Sequence, residues 1–408
     1  MTGIARGDRL AIEGGTAVRS SPLPSWPHFE PDEIDAATRV LRSGRVNYWT
    51  GEEGRRFEEE FTAWTGAKHA VALANGTVAL EAALTAAGIG KGDDVIVTPR
   101  SFIASASCAV SVGARPVFAD VDPESQNITA DTIEAVLTPK TRAIVAVHLA
   151  GWPCDMDAIL ALAERRSLTV IEDCAQAHGA RLKGRRVGVL GHIAAWSFCQ
   201  DKIITTAGEG GMVTTDDAEL WARVWALKDH GKSWDAVHRR QHPPGFRWLH
   251  ESFGSNWRMT EVQSAVGRVQ LRKVDGWVER RRAHAARLNK ALAGIEALRT
   301  TVPPADTEHA YYKYYVFVRP ELLRDGWTRD RIMAAVGAEG VPCFSGSCSE
   351  VYLERAFDGT SLRPAERLPV ARELGDTSLM LMVHPTLSDS DIDDAASALQ
   401  RVFAAASL

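Results

Sequence analysis

Residues 168–213 read LTVIEDCAQAHGARLKGRRVGVLGHIAAWSFCQDKIITTAGEGGMV. The run LTVIED is apolar until its two final acids, and the apolar run AAW at 194–196 comes shortly before Lys202. Short apolar runs bounded by turn residues are typical of strands buried on both faces of a sheet. Asp173 then ends a strand at the edge where open α/β sheets bind ligands. An acid at this place could also simply cap the next turn.

Upstream of this stretch, predicted strands alternate with predicted helices, which indicates crossover units and a mainly parallel sheet sandwiched by helices. The fold class is therefore α/β. The predicted strands are HAVALA at 69–74, DVIVTP at 94–99, RPVFADV at 115–121 and RAIVAVHL at 142–149. The predicted helices are FEEEFTAWTG at 57–66, TVALEAALTAAGI at 77–89 and DMDAILALAERR at 155–166.

The chain of 408 residues is too long for one small core and predicts three parts. Residues 1–28, rich in Gly, Pro and Ser, form an arm that must pack on something else, with a partner subunit as one candidate. Residues 29–270 form the large domain, and residues 271–408 form a smaller α+β C-terminal domain. Helical spacing from Met259 to about Ala293 bridges the two domains, and the polar segment 230–256 before it predicts a long functional loop.

Composition favours a small-molecule partner. The net charge of −5 gives no basic face for nucleic acid or for an acidic membrane. The six cysteines are scattered without the spacing of zinc ligands, so we expect reduced thiols and no metal. The N-terminal residues lack the apolar run of a signal peptide, and no apolar stretch reaches membrane-spanning length, so we expect a cytoplasmic protein without a membrane partner.

A turn at Asn75-Gly76-Thr77 joins a predicted strand to a predicted helix. Free N–H groups and the positive end of the helix dipole meet at such a place, so a phosphate could bind there. An ordinary capped turn explains the same residues. Neither GxxxxGK[ST] nor GxGxxG after the first strand occurs, which excludes the usual nucleotide loops.

Several motifs in one order resemble the DegT-type sugar aminotransferase family, within the fold type I pyridoxal 5′-phosphate (PLP) enzymes. The resemblance covers about residues 10–270. It rests on AIEGGTAVR at 11–19, NGTVAL at 75–80, PRSFIASA at 99–106, VHLAGWPCDMD at 147–157, EDCAQAHGA at 172–180, SFCQDKIITTAGEGGMV at 197–213 and GSNWRMTEVQSAVG at 254–267.

The resemblance implies roles for three residues around the PLP ring. Lys202 is similar to the lysine whose primary amine condenses with the PLP aldehyde and then moves a proton between two carbons. Asp173 is similar to the acid that keeps the pyridine nitrogen protonated, which makes the ring a better electron sink. Gln176 matches the side chain near the phenolic oxygen of the ring.

Further cofactor contacts follow from the same resemblance. Phe102 matches the aromatic residue that stacks on the ring, although plain core packing would also explain it. Asn256 matches a phosphate ligand that reaches in from the other subunit, which implies a homodimer with shared active sites. The remaining phosphate contacts implied are Gly76, Thr77 and Ser197.

The family implies amino transfer from L-glutamate or L-glutamine to the keto group of a nucleotide-linked deoxy sugar. A keto-cyclitol from an antibiotic pathway is an alternative acceptor, because FCQDKIITTAGEGG also resembles relatives with such substrates. A PLP-dependent sugar dehydratase would carry histidine in place of Lys202. A non-catalytic regulator on the same fold would have lost Lys202 or Asp173.

The sequence departs from the family pattern at VPCFSGSCSEVYLERAF, residues 341–357, where many relatives carry an aromatic and proline-rich segment that contacts the sugar. The substrate is therefore less defined than the cofactor. His309, Tyr312 and His384 align with family positions near the substrate. Each could instead be a residue of the domain interface.

Overall fold

The structure is a computed structural model that describes residues 9–241 and 248–408. The helices are α1 Pro31–Ser43, α2 Glu53–Thr65, α3 Gly76–Ala86, α4 Ala104–Ser111, α5 Ala130–Glu134, α6 Met156–Arg166, α7 Ala218–Lys228, α8 Trp234–His238, α9 Glu261–Leu271, α10 Val274–Leu292, α11 Arg329–Ala338, α12 Pro369–Thr377 and α13 Asp389–Ala406. The strands are β1 His69–Leu73, β2 Asp94–Val97, β3 Arg115–Phe118, β4 Thr141–Val147, β5 Thr169–Asp173, β6 Arg181–Leu182, β7 Arg185–Arg186, β8 Ile193–Ser197, β9 Gly211–Thr215, β10 Leu298–Thr300, β11 Thr307–Glu308, β12 Tyr314–Val318 and β13 Ser378–Leu381.

A seven-stranded sheet with the order β1-β9-β8-β5-β4-β2-β3 forms the centre of the protein. The pairs from β3 to β8 are parallel, and β9 is antiparallel to both of its neighbours. The predicted mainly parallel mixed sheet is thus confirmed. Its carboxyl-terminal edge brings the ends of β4, β5 and β8 together.

Both faces of this sheet are buried, as the near-continuous apolar strands predict. Along β4, Ile144 and Ala146 pack into the core on one face, while Val145 and Val147 pack into the core on the other. Asp173, at the end of β5, is a charged side chain in this buried sheet and is 4% exposed.

A second, antiparallel sheet with the order β10-β12-β13 lies in the C-terminal part and has its own core with α10, α11 and α13. A third small sheet joins β11, β6 and β7. The predicted domain boundaries at residues 28 and 270 stay predictions. The helical spacing from Met259 to about Ala293 is divided between α9 and α10, and at the break Lys273 binds Glu30, Asp32 and Glu33 of the α1 start.

The described part of the N-terminal arm packs on its own chain. Leu10 is 3% exposed in the core of the C-terminal sheet. The buried Glu339 carboxylate accepts hydrogen bonds from the backbone N–H groups of Ala11 at 2.9 Å and Val18 at 3.1 Å. Further along, the Trp26 indole N–H donates to the carbonyl oxygen of Lys202 at 2.8 Å. The arm therefore reaches the lysine of the predicted site.

The predicted long loop at 230–256 contains α8 and otherwise lacks regular elements where it is described, and its residues 242–247 lie outside the described residues. Within the part of the chain that the structure describes, no helix combines the length and the apolar content that a bilayer crossing needs.

Candidate active site

A cavity of about 910 Å³ opens at the carboxyl ends of the parallel strands. Because Asp173 ends β5 and Ser197 ends β8, the parallel register places both at this edge. The structure brings most of the predicted site residues to this one cavity. Those that line it are Gly76, Thr77, Phe102, Asp173, Gln176, Ser197, Lys202 and Tyr312.

Lys202 follows β8 and extends its amine into this cavity, with its side chain 15% exposed. The Nζ atom lies 3.4 Å from the Tyr312 hydroxyl and 3.8 Å from the Asp201 carboxylate. Burial lowers the pKa of the Lys202 amine, and the Asp201 charge opposes that shift in part. A lowered pKa increases the fraction of neutral amine, which is the nucleophilic form.

Asp173 uses both carboxylate oxygens. The Ser105 hydroxyl donates to Oδ2 at 2.8 Å, and the Ala175 N–H donates to Oδ1 at 3.1 Å. Asp173 thus caps the turn after β5 and also faces the cavity. Burial raises the pKa of the Asp173 carboxyl above its ordinary value. A cationic group in the cavity would lower that pKa and favour the carboxylate form.

The neighbouring Glu172 points away from the cavity and has a structural role. Successive side chains of a strand point to opposite faces, so Glu172 turns away from the cavity side. Its carboxylate accepts from His148 Nε2 at 3.0 Å and from the backbone N–H groups of Gly188, Leu190 and Gly191. Because the Cys154 N–H donates to His148 Nδ1, the histidine proton is on Nε2. Glu172 therefore fixes the loop before β8.

Gln176 presents its amide to the cavity in a defined orientation. The backbone N–H of Ala150 donates to Gln176 Oε1 at 2.8 Å. Ala150 has a φ of 56°, in the left-handed region that costs energy for a residue with a side chain. With the oxygen occupied, the Gln176 NH₂ group is the part available to donate to a ligand.

The start of α3 forms the base of the cavity beside Ser197. Asn75 caps the helix by accepting from the Val78 N–H at 3.0 Å, which leaves the first N–H groups of Gly76 and Thr77 without helical partners. A Cβ atom on Gly76 would lie 2.5 Å from Ser197 Cβ. Only glycine allows this close approach. It brings the free N–H groups of the α3 start next to the end of β8, and such N–H groups bind anions.

Phe102 is 68% exposed and lines the cavity. Plain core packing, the alternative reading of this residue, is therefore excluded. A large aromatic side chain held at the surface of a cavity offers one face to a flat ligand.

Three predicted residues lie elsewhere in the described structure. Asn256 is exposed and does not line this cavity in its own chain. His309 is 6% exposed and stacks on Tyr311 with ring centroids 3.9 Å apart, which favours a domain-interface role. Burial lowers its pKa to about 3, so His309 is neutral. His384 lines a second cavity of about 630 Å³ that adjoins the first through Asp201 and Tyr312.

Sequence reasoning missed the residues that support the predicted ones. Asp201 directly precedes Lys202 and could have been noticed as an acid beside an amine. Ser105 and Arg281 gave no signal, because a serine near a strand end and an arginine in a basic helix are common. The atypical segment 341–357 forms a wall of the first cavity through Gly346, Ser347, Cys348, Val351 and Glu354.

The α/β fold, with a largely buried lysine and a buried carboxylate at one cavity, fits the expected fold type I PLP-dependent transaminase. A family model described as the DegT/DnrJ/EryC1/StrS aminotransferase family matches residues 27–400. The chain belongs to this family.

Named relatives agree with this assignment. An aminotransferase structure from Psychrobacter cryohalolentis is 58% identical with a TM-score of 0.92, covering 94% of this chain and 99% of that chain. GDP-perosamine synthase from Caulobacter vibrioides is 39% identical over 362 residues, 87% of this chain and 92% of the relative. L-glutamine:2-deoxy-scyllo-inosose aminotransferase from Streptoalloteichus tenebrarius is 37% identical over 418 residues, 96% of this chain and 97% of the relative.

These comparisons confirm the predicted family, fold class and enzyme class. They also confirm amino transfer to a keto sugar or related keto ring as the general reaction.

Proposed function

We propose that this chain uses bound PLP to move an amino group from L-glutamate or L-glutamine to the keto group of a nucleotide-linked deoxy sugar. One observation carries the proposal. The Lys202 amine, the Asp173 carboxylate and the start of α3 at Gly76 line a single cavity. Each group suits one part of PLP. The amine can bind the aldehyde, the carboxylate can face the ring nitrogen, and the N–H groups can bind the phosphate.

The residues present fit the cofactor. The absence of a Cβ on Gly76 lets the start of α3, with its free N–H groups, pack against Ser197 at the edge of the cavity, and Phe102 offers an exposed aromatic face. Gln176 has an amide NH₂ available for the phenolic oxygen because Ala150 occupies its oxygen. When bound, PLP supplies an electron-withdrawing ring that stabilises negative charge on the carbon beside the transferred nitrogen.

The chain's own residues would then hold the cofactor and move protons. Lys202 would hold it by its amine and, once released by the donor, would take a proton from one carbon and return it to another. The Asp201 carboxylate and the Tyr312 hydroxyl lie against Nζ and would orient it for this transfer. Asp173 would hold a proton on the ring nitrogen, and its bond to Ser105 would fix the direction of the carboxylate.

The acceptor has a second candidate, a keto-cyclitol, because a relative named for such a substrate aligns with 96% of this chain. A sugar dehydratase is less well supported, since it would carry histidine where Lys202 stands. Purified protein with L-glutamate or L-glutamine should be incubated with a panel of nucleotide-linked keto sugars and with keto-cyclitols, and products detected by mass spectrometry. Amination of a keto-cyclitol alone would overturn the nucleotide-sugar assignment.

We also propose a homodimer whose active sites contain residues of both subunits. Asn256 is exposed and is fixed in place by its neighbours, since His230 N–H donates to Ser255 and Trp257 N–H donates to Lys228. Phe253, three residues before it, is 99% exposed. A rigid segment with an exposed aromatic residue is typical of a subunit interface.

In this dimer Asn256 would bind the phosphate of the partner's cofactor. Losing a hydrogen bond to a charged group costs about 1.5 to 3 kcal/mol, so Asn256→Ala should weaken PLP binding by about ten- to a hundredfold. The dissociation constant can be measured by following the visible band of the enzyme while PLP is added.

Subunit mixing gives the control for the Asn256 prediction. Asn256→Ala should be mixed with Lys202→Ala under conditions in which subunits exchange. If Asn256 acts on the partner's site, each mixed dimer has one site with both changes and one with neither, so activity at limiting PLP should return. Verified exchange without any recovery would show that Asn256 serves its own chain or no site.

A further inference from the structure

The second cavity, of about 630 Å³, contains a buried arginine that the proposed reaction has not used. Arg281 lies on α10, is 2% exposed and lines this cavity. Its Nη1 donates to the carbonyl oxygens of Tyr311 at 3.4 Å and Tyr312 at 3.2 Å. Within the described residues, its Nε and Nη2 atoms have no hydrogen-bond partner.

Nε and Nη2 form the edge of a guanidinium that binds a carboxylate side-on. This chain uses the same edge elsewhere. Arg115 donates from Nε at 2.7 Å and Nη2 at 2.5 Å to the two oxygens of Asp94, and Arg287 does so at 2.5 Å and 2.6 Å to Asp393. The unpartnered edge of Arg281 therefore matches one planar carboxylate.

The surroundings favour an anion with an aliphatic chain. Lys313 also lines the second cavity and forms no ion pair among residues 9–241 and 248–408. The only carboxylate of the described lining is Asp201, which accepts from Tyr312 and lies near Lys202. The apolar part of the lining includes Leu23, Trp26, Phe344, Met380 and Met382.

The position of this cavity connects it to the chemistry. Asp201, Tyr312, Lys313 and Gly346 line both cavities, so a molecule in the second one can reach toward Lys202 in the first. Burial also lowers the pKa of Arg281 to about 9, and a bound carboxylate would offset the cost of a charge without a partner.

We propose that Arg281 binds a carboxylate of a molecule whose other end reacts at Lys202. This proposal rests on the proposed transamination, which places the reacting group in the first cavity. The carboxylate has two possible sources: the amino-acid donor, or a keto-sugar acceptor that carries an acid group. Both sources share the planar carboxylate that the Nε and Nη2 edge matches.

The test uses the PLP-loaded enzyme and glutarate, a dicarboxylate with neither an amine nor a keto group. Isothermal titration calorimetry should show glutarate binding to the wild type, about ten- to a hundredfold weaker binding to Arg281→Met, and an intermediate affinity for Arg281→Lys. Arg280→Met is the matched control. Arg280 is the preceding residue on α10, with its side chain 39% exposed and paired with Asp389, so this variant should bind glutarate like the wild type.

The donor half-reaction then separates the two sources. If the carboxylate belongs to the donor, Arg281→Met should raise the L-glutamate concentration needed for half-maximal bleaching of the visible band by about tenfold or more, with a smaller change in the limiting rate. If glutarate binding falls and the L-glutamate dependence does not change, the carboxylate belongs to the acceptor.

Wild-type glutarate affinity in both Arg281 variants, or no glutarate binding to the wild type, would overturn the proposal. If Arg281→Met does not fold, Arg281→Lys decides, because an ammonium group keeps the charge but cannot form two parallel bonds. Calorimetry measures glutarate binding at the carboxylate site, whereas the visible band shows that PLP is bound. A wild type that binds glutarate without showing the band would therefore contradict the cofactor assignment alone.

Discussion

Lys202→Ala should remove the visible band of the PLP-loaded enzyme and lower the rate of amino transfer by at least about 10⁴-fold, roughly 5.5 kcal/mol in barrier. Alanine offers neither an amine for the aldehyde nor a base for the proton. The side chain lies at the cavity and its backbone carbonyl still accepts from Trp26, so the fold should remain. Absorption spectra and single-turnover assays with L-glutamate measure both effects.

Lys313→Ala is a matched control for this change, since Lys313 is a second lysine that lines the same cavity. It should keep the visible band. A Lys202→Ala protein that stays yellow and active would mean that another amine holds the cofactor, and Lys313 would then be the first alternative.

Asp173→Asn should bind PLP but transfer amino groups more than about a hundredfold more slowly, roughly 2.7 kcal/mol in barrier. A neutral amide cannot hold a proton on the ring nitrogen, so negative charge on the reacting carbon is less stabilised. Asparagine keeps the size of the side chain and can still accept from the Ala175 N–H, which preserves the turn. Stopped-flow measurement of the donor half-reaction gives the rate.

Glu172→Gln is the comparison variant for Asp173→Asn. Glu172 accepts from His148 and three backbone N–H groups in a fully buried place, so its change should lower the melting temperature. The rate per folded molecule should change much less than in Asp173→Asn. Near wild-type turnover in Asp173→Asn would reduce Asp173 to the turn cap that its bond to Ala175 also supports.

The large sheet could be predicted because its strands are buried on both faces and therefore appear as apolar runs. LTVIED corresponds to β5 Thr169–Asp173, and HAVALA corresponds to β1 His69–Leu73. The two-residue strands β6, β7 and β11 could not be predicted, because so short a pairing leaves no period in the sequence. The antiparallel β9 begins at Gly211, the last residue of the glycine-rich run AGEGG at 207–211, where the sequence indicates a turn.

Some residues of the candidate site could also be predicted from the sequence, and others could not. Lys202, Asp173 and Gly76 each come at or shortly after the end of a strand. In a parallel topology such residues meet at the carboxyl-terminal edge of the sheet, so their proximity could be expected. Arg281 could not be predicted. It stands within three consecutive arginines of a helix, which predicts a solvated face. It is nevertheless 2% exposed, and its guanidinium carbon lies 5.3 Å from the centroid of the Trp26 ring of the N-terminal arm. The contact joins segments too distant in sequence to be read from a local pattern.

The N-terminal arm also borders the second cavity. Residues 22–26 form one wall of this cavity, and Trp26 links that wall to the backbone of Lys202. A ligand held by Arg281 would therefore lie between the arm and the C-terminal sheet. Donor or acceptor selection would depend on a segment far from the lysine in the sequence.

The central claim is that the Lys202 amine holds PLP. Reduction of the PLP-loaded enzyme with borohydride fixes the cofactor to the amine that carries it, and peptide mass spectrometry then locates the modified lysine. The expected result is a single modified residue, Lys202, with the modification lost when excess L-glutamate is added before reduction. Modification at another lysine, or none in a protein that transfers amino groups, would contradict the claim.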